Sequence, residues 1–219
     1  MKQAHLIAWA VLFSSSHALA ETNTFKAKVI GSESQLSIEG VRSSASAPSN
    51  PVNKLEGQLE AETAIGGGAS LEFQLSDPMR LGLGASYLQF EGDEGGLGYS
   101  DFVLESYGTL DFVDQDVLAL YGKAGLSFHQ LALESVDSGR TRLEFDDTTL
   151  LNYDLGVGAR FRLNRQSTFS LEYNYSNTLS TGDVDVSSST LGLTTPVEDK
   201  LQGVSMNKNE LVASLGFSF

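Results

Sequence analysis

The sequence predicts an all-β fold, an eight-stranded antiparallel up-and-down transmembrane β-barrel. Three observations predict it: strict two-residue alternation, connections that alternate between short and long, and the lack of a second long apolar segment. The clearest alternation runs over Leu151–Leu163. Leu151, Tyr153, Leu155, Val157, Ala159, Phe161 and Leu163 share one face. Asn152, Asp154, Gly156, Gly158, Arg160 and Arg162 share the other. A helix would mix these sets, so the segment is a strand with one apolar face.

The first strand spans roughly 25–42 and is the least regular. Phe25, Ala27 and Val29 are odd-numbered, whereas Leu36 and Ile38 are even. That switch predicts a bulge between Gly31 and Gln35. The next strand sets Ile65, Leu71 and Phe73 against Gly66, Gly68 and Glu72. The third sets Leu81, Leu83 and Tyr87 against Gly82, Gly84 and Ser86. The fourth sets Phe102, Leu104 and Phe112 against Glu105, Tyr107 and Asp111. The fifth sets Leu118, Leu126 and Phe128 against Tyr121, Lys123 and His129. Leu151–Leu163 is the sixth. The seventh sets Phe169, Leu171 and Tyr173 against Ser170, Glu172 and Asn174. The eighth sets Leu211, Leu215, Phe217 and Phe219 against Glu210, Ser214 and Ser218.

Short links fall at 76–79, 114–116 and 164–167. Longer ones fall around 43–53, 91–98, 135–147 and 180–207. Short turns at one end, long loops at the other and an even strand number describe an outer-membrane barrel. A soluble β-sandwich also alternates, but its outer face would be rich in Lys and Thr rather than in glycine and isolated charges. Aromatic spacing also favours the membrane. Phe102 and Phe112 lie ten residues apart on one face, and Tyr153 and Phe161 eight. At about 2.5 Å of rise along the normal per tilted residue, these gaps span ~20–25 Å, the height of an apolar band between aromatic girdles.

Composition bounds the function. The 219 residues carry a net charge of −14 and no cysteine. Disulfides, zinc–thiolate sites and cysteine catalysis are excluded. So acidic a chain is not a nucleic-acid binder by bulk charge. Residues 1–20 read as a signal peptide, with an apolar run from Leu6 to Phe13 and the small-x-small triplet Ala18-Leu19-Ala20. Cleavage after Ala20 would leave 21–219 as the barrel domain, exported to the outer membrane. It would leave 13 basic residues against 28 acidic ones, and a single histidine, His129.

Eight strands enclose a lumen just wide enough for side chains. The alternation places Glu72, Glu105, Lys123, His129, Asp154, Arg160, Arg162, Glu172 and Glu210 in it, with Asp111 beside them. Charges in such a space must be paired or wet. The predicted network plugs the barrel; the alternative is a gate that passes ions or small solutes. Glycines at 66, 68, 82, 84, 156 and 158 leave room for water. The loops carry acidic groups at Glu91, Asp93, Glu94, Asp146, Asp147, Asp183, Asp185, Glu198 and Asp199. No twelve-residue calcium loop is present, and neither a metal nor a cofactor is expected. The last loop, 180–207, is the candidate for a mobile binding surface.

The segments Tyr121–Ser127, Tyr153–Arg160 and Leu171–Tyr173 resemble strands of small OmpA-type and opacity-type surface barrels. The terminal strand, ending Leu215-Gly216-Phe217-Ser218-Phe219, resembles the signal that outer-membrane assembly machinery recognises. The resemblance covers most of 64–219. It implies a monomeric, surface-exposed structural or adhesion protein of a Gram-negative cell, in contact with outer-membrane lipid and lipopolysaccharide. Its assembly signal would be Leu215, Phe217 and Phe219, and its loops would meet a host or other extracellular ligand. Some barrels of this size act on lipid A. A deacylase would want a serine two residues after its histidine, and Leu131 stands there instead, so no enzymatic activity is expected.

Overall fold

The computed structural model describes residues 23–43, 57–58, 62–91, 98–138, 141–190 and 197–219. The signal-peptide segment and the Asp93–Glu94 acidic pair lie outside these residues. The strands are β1 (Asn23–Ile38), β2 (Gly40–Ser43), β3 (Gly57–Gln58), β4 (Glu62–Ser76), β5 (Met79–Phe90), β6 (Tyr99–Asp114) and β7 (Leu118–Leu133). They continue with β8 (Val136–Ser138), β9 (Thr141–Phe145), β10 (Thr148–Arg162), β11 (Ser167–Ser180), β12 (Gly182–Thr190) and β13 (Val197–Ser218).

Eight of these form a ring. The order β1-β4-β5-β6-β7-β10-β11-β13 is antiparallel throughout, and β13 pairs back onto β1 from Thr24↔Ser218 to Ser37↔Ser205. The chain ends meet there, where Asn23 and Phe219 exchange backbone hydrogen bonds of 3.0 and 3.3 Å. The three tight links leave Ser76, Asp114 and Arg162 on the same side as these ends. By the rule that outer-membrane barrels keep short turns in the periplasm, this is the periplasmic end.

The outer surface is apolar. Val29, Ile65, Leu81, Leu110, Leu126, Leu155, Val157, Leu171 and Leu211 are all exposed, and they come from every strand of the ring. A soluble monomer does not carry an apolar belt of that extent. Hydrocarbon demands it, and ring closure satisfies the backbone groups that lipid cannot. Closure also leaves no edge for detergent to pry open. The refolded protein should therefore migrate as a compact band in unboiled SDS gels and shift on boiling. Identical mobility before and after boiling would contradict a closed ring.

The predicted bulge in the first strand is absent. The pairings of β1 with β13 and β4 run without a register shift. Even-numbered residues face inward along its whole length, first Lys26, then Ile30, Ser32, Ser34, Leu36 and Ile38, all buried. What changes along the strand is the chemistry of the lumen, from charged to apolar.

The strands also run past the membrane. About 9–11 residues span a bilayer, whereas β13 has 22 and β6 and β7 have 16 each. Beyond the barrel, β13 pairs with β12 and β2, β12 with β9, and β9 with β8. This second, five-stranded sheet has its own apolar core of Ile38, Leu143, Val184, Val186, Leu201 and Val204, each at most 3% exposed. Its strands β12 and β13 occupy 182–190 and 197–207, where a mobile loop was expected over 180–207. Asp183 and Asp185 are exposed, as expected, and flank the Lys200 ammonium at 3.2 and 3.8 Å. Asp199 is buried. Gly203, at φ +64°, turns β13 from the barrel into this sheet, and a Cβ there would strike the Glu39 side chain at 2.5 Å.

Candidate functional site in the barrel lumen

The inward face of each strand changes from charged to apolar between the periplasmic end and the outer end. Three connected tiers of ion pairs come first. At the periplasmic end Arg80 and Arg160 grip Asp111 at 2.8 and 3.2 Å. Lys26 holds Glu72 at 2.5 Å, and Arg160 Nη2 lies 3.8 Å from the other Glu72 oxygen. In the middle, Lys123 joins Glu105 at 3.0 Å and Glu172 at 2.9 Å, and Lys28 binds the other oxygen of Glu105. Toward the outer end, Lys208 joins Asp101 at 3.2 Å and Glu210 at 2.9 Å. Six basic groups thus face six carboxylates, which is why so many charges can be buried together.

Two tyrosines tie the tiers together. Tyr107 donates to Glu72 or Ser70, each at 3.1 Å, and Tyr121 donates to Glu172 at 2.9 Å. Their rings lie directly over glycines. A Cβ at Gly158 would meet Tyr121 Cζ at 2.5 Å, and Gly82 is covered in the same way by its cross-strand partner Tyr107. Glu105 fills the space above Gly84, and Asn174 that above Gly156. The lumenal glycines therefore admit side chains rather than water, contrary to the sequence expectation. Lys123 and Arg160 sit over the two rings at 4.3 and 4.7 Å from the centroids.

Of the network expected from sequence, Glu72, Glu105, Lys123, His129, Arg160, Glu172 and Glu210 come together in these tiers. Two residues do not join. Arg162 is at the periplasmic rim, its side chain 35% exposed, where it pairs with Asp114 and donates to the Gln115 carbonyl at 2.8 Å. It lies one turn of the pleat beyond the lumen. Asp154 lines the lumen without an ion pair among the described residues, beside a cavity of about 20 Å³ that holds roughly one water. Lys26, Lys28, Arg80, Asp101 and Lys208 complete the tiers. The signal that could have found them was strand parity carried further toward each strand's ends.

His129 has an unexpected setting. Its Nδ1 lies 2.9 Å from Asp101 Oδ2, and its Nε2 lies 2.8 Å from Ser127 Oγ. A carboxylate only accepts, so Nδ1 donates. Nε2 shares the other hydrogen bond with the Ser127 hydroxyl. This is the connectivity of a hydrolytic triad, with the serine two residues before the histidine. The adjoining cavity has space for one water and none for an acyl group. Ser127 and His129 belong to β7 between two fully paired neighbours, so the backbone there is engaged in ladders rather than aimed at an oxyanion. The arrangement holds Asp101 and its Lys208 partner in place.

Above the third tier the lumen turns apolar. Ile30, Leu36, Leu88, Phe90, Tyr99, Val103, Leu131, Leu150, Met206 and Val212 form one buried cluster drawing on six strands of the ring, with Ala64 of β4 as a seventh contributor. Phe90 and Tyr99 stack at 4.4 Å between centroids. The polar plug expected from sequence is thus only the periplasmic part of the filling. No group of three or more His, Cys, Asp or Glu residues among those described could hold a metal ion.

A closed ring of eight tilted strands, apolar outside and filled inside, defines an outer-membrane β-barrel protein. The chain belongs to the family described as outer membrane protein beta-barrel domain, whose profile matches residues 6–195. Its fold is similar to the crystal structure of Neisserial surface protein A (NspA), with a TM-score of 0.55 and 13% identity over 89% of this chain and 97% of that one. It is also similar to the outer membrane protein AlkL, solved by solid-state NMR in lipid bilayers, with a TM-score of 0.51 and 13% identity over 94% and 93%. No curated protein matches the chain by sequence.

Proposed function

We propose that the protein is a sealed surface barrel that holds a rigid extracellular β-platform for structural or adhesive contact outside the cell. The observation that carries this reading is the second sheet, β2-β13-β12-β9-β8, with its own apolar core above a filled lumen. A disordered loop would lose conformational entropy on binding; a prefolded sheet has already lost it. The outer apolar layer disfavours a channel, because an ion crossing it would shed its hydration with nothing to replace it. In this reading the protein is not an enzyme, and it works as a monomer among outer-membrane lipid and lipopolysaccharide. Residues 1–20 are removed after Ala20, and Leu215, Phe217 and Phe219 on the final strand present the assembly signal.

The test uses the platform core. Val184 and Leu201 are fully buried, and replacing either with Asp strands a carboxylate in an apolar core at a cost of several kcal/mol. Cells producing Val184→Asp or Leu201→Asp should keep a heat-modifiable barrel in the outer membrane but lose adherence to host cells or matrix relative to wild type. Wild-type adherence with a proteolytically sensitive platform would refute the adhesive role.

A further inference from the structure

The periplasmic mouth holds a cavity that neither the plug nor the platform fills. Four of the seven arginines in this net-acidic chain, Arg80, Arg160, Arg162 and Arg165, line one cavity of about 210 Å³. That is roughly seven times the liquid volume of a water molecule, and ten times the cavity beside His129. Glu72 is the one carboxylate in its wall.

Most of the nearby acids are already committed. Asp111 lies between Arg80 and Arg160, Asp114 is taken by Arg162, and one oxygen of Glu72 by Lys26 and Tyr107. Arg165, exposed on the turn between β10 and β11, has no ion pair among the described residues. Arg160 is buried, its side chain 5% exposed, yet its Nη2 has no hydrogen-bond partner, since Glu72 stands 3.8 Å away. Thr168 Oγ1, in the same wall, is a second buried polar atom without a partner. Both atoms are closed to solvent, so each lacks water as well as a protein partner, which costs free energy. The turn residue Arg165 and the penultimate residue Ser218 line it, which places its opening at the periplasmic end.

We infer that this mouth is a binding site for a small phosphate-type oxyanion, held by Arg160 and Thr168 at its floor and by Arg162 and Arg165 at its rim. Guanidinium groups pair in bidentate fashion with such oxygens. The site faces the barrel axis rather than the lipid belt, which favours a free anion over a phospholipid headgroup.

Calorimetric titration of the refolded full chain in non-ionic micelles tests this, with inorganic phosphate and pyrophosphate as probes. Pyrophosphate should bind one-to-one with a Kd below about 1 mM. Arg160→Gln and Arg165→Gln should each weaken it by about tenfold or more, while Arg142→Gln, on the extracellular sheet, should not. Arg165 is exposed, so its variant should fold even if Arg160→Gln does not; compact migration in cold SDS verifies this. Absence of saturable binding, or wild-type affinity in Arg165→Gln, would overturn the site. Binding should persist in nanodiscs containing phosphatidylglycerol. Its loss there, with retention in purely zwitterionic nanodiscs, would assign the arginines to lipid headgroups and overturn the free-anion reading.

Discussion

Replacing Lys123 with Met should lower the unfolding stability of the refolded barrel by about 3–5 kcal/mol, the usual cost of removing one partner from a buried ion pair. Lys123 is the hub of the middle tier, bonded to Glu105 at 3.0 Å and Glu172 at 2.9 Å, with its ammonium over the Tyr107 ring. Without it, Glu105 still has Lys28, but Glu172 loses its ion-pair partner and, among the described residues, keeps Tyr121 and Asn174. The adjacent cavity admits about one water, so solvation can relieve little of the loss. Lys28→Met should cost less, because Glu105 retains Lys123. Adding Glu172→Gln to Lys123→Met should recover much of the lost stability by removing the stranded charge. Urea unfolding in liposomes measures all three. Equal stability of wild type and Lys123→Met would mean that the lumen is wet and the tiers are not paired.

Leu155→Arg should be similarly damaging for the opposite reason. Leu155 is at the centre of β10, half-exposed on the outer face, opposite Ala124 and Tyr175. Arginine facing hydrocarbon at the midplane costs about 2–4 kcal/mol, falling to about 0–1 near the interface. Thr149→Arg, on the same face at the outer end of β10, should therefore insert almost normally. The yield of heat-modifiable barrel in liposomes compares the two. Equal yields would place both residues outside the hydrocarbon and shift the membrane along the barrel.

The facing of β4, β5, β6, β7, β10 and β11 was legible in the sequence because each meets two contrasting solvents, lipid and a charged lumen. Period two then reads directly as inside and outside. The reading failed where that contrast disappears. In β1 the inward face passes from Lys26 to Ile30, Leu36 and Ile38 as the lumen turns from charged to apolar. A rule that equates apolar with lipid therefore converts a straight strand into a bulged one. The extracellular sheet was missed because Ser, Thr and Gly dominate its links, although Val184 and Val186 alternate with Asp183 and Asp185 as a strand should. Lys208 and Asp101 lie just before the clear alternation of their strands begins. That left the outer tier represented only by His129 and Glu210. The unpartnered Nη2 of Arg160 has no sequence signature at all, since it depends on a gap of 3.8 Å across the lumen.

The lumen is closed by the apolar layer around Leu88, Phe90, Tyr99, Leu131 and Leu150 above three tiers of ion pairs. Single-channel recording of the refolded full chain in planar bilayers addresses it most directly. The layered filling predicts a silent bilayer, with no unitary conductance at moderate voltage although the protein is inserted. A steady, reproducible unit conductance with defined ion selectivity would contradict it and would make the charged tiers the wall of a pore.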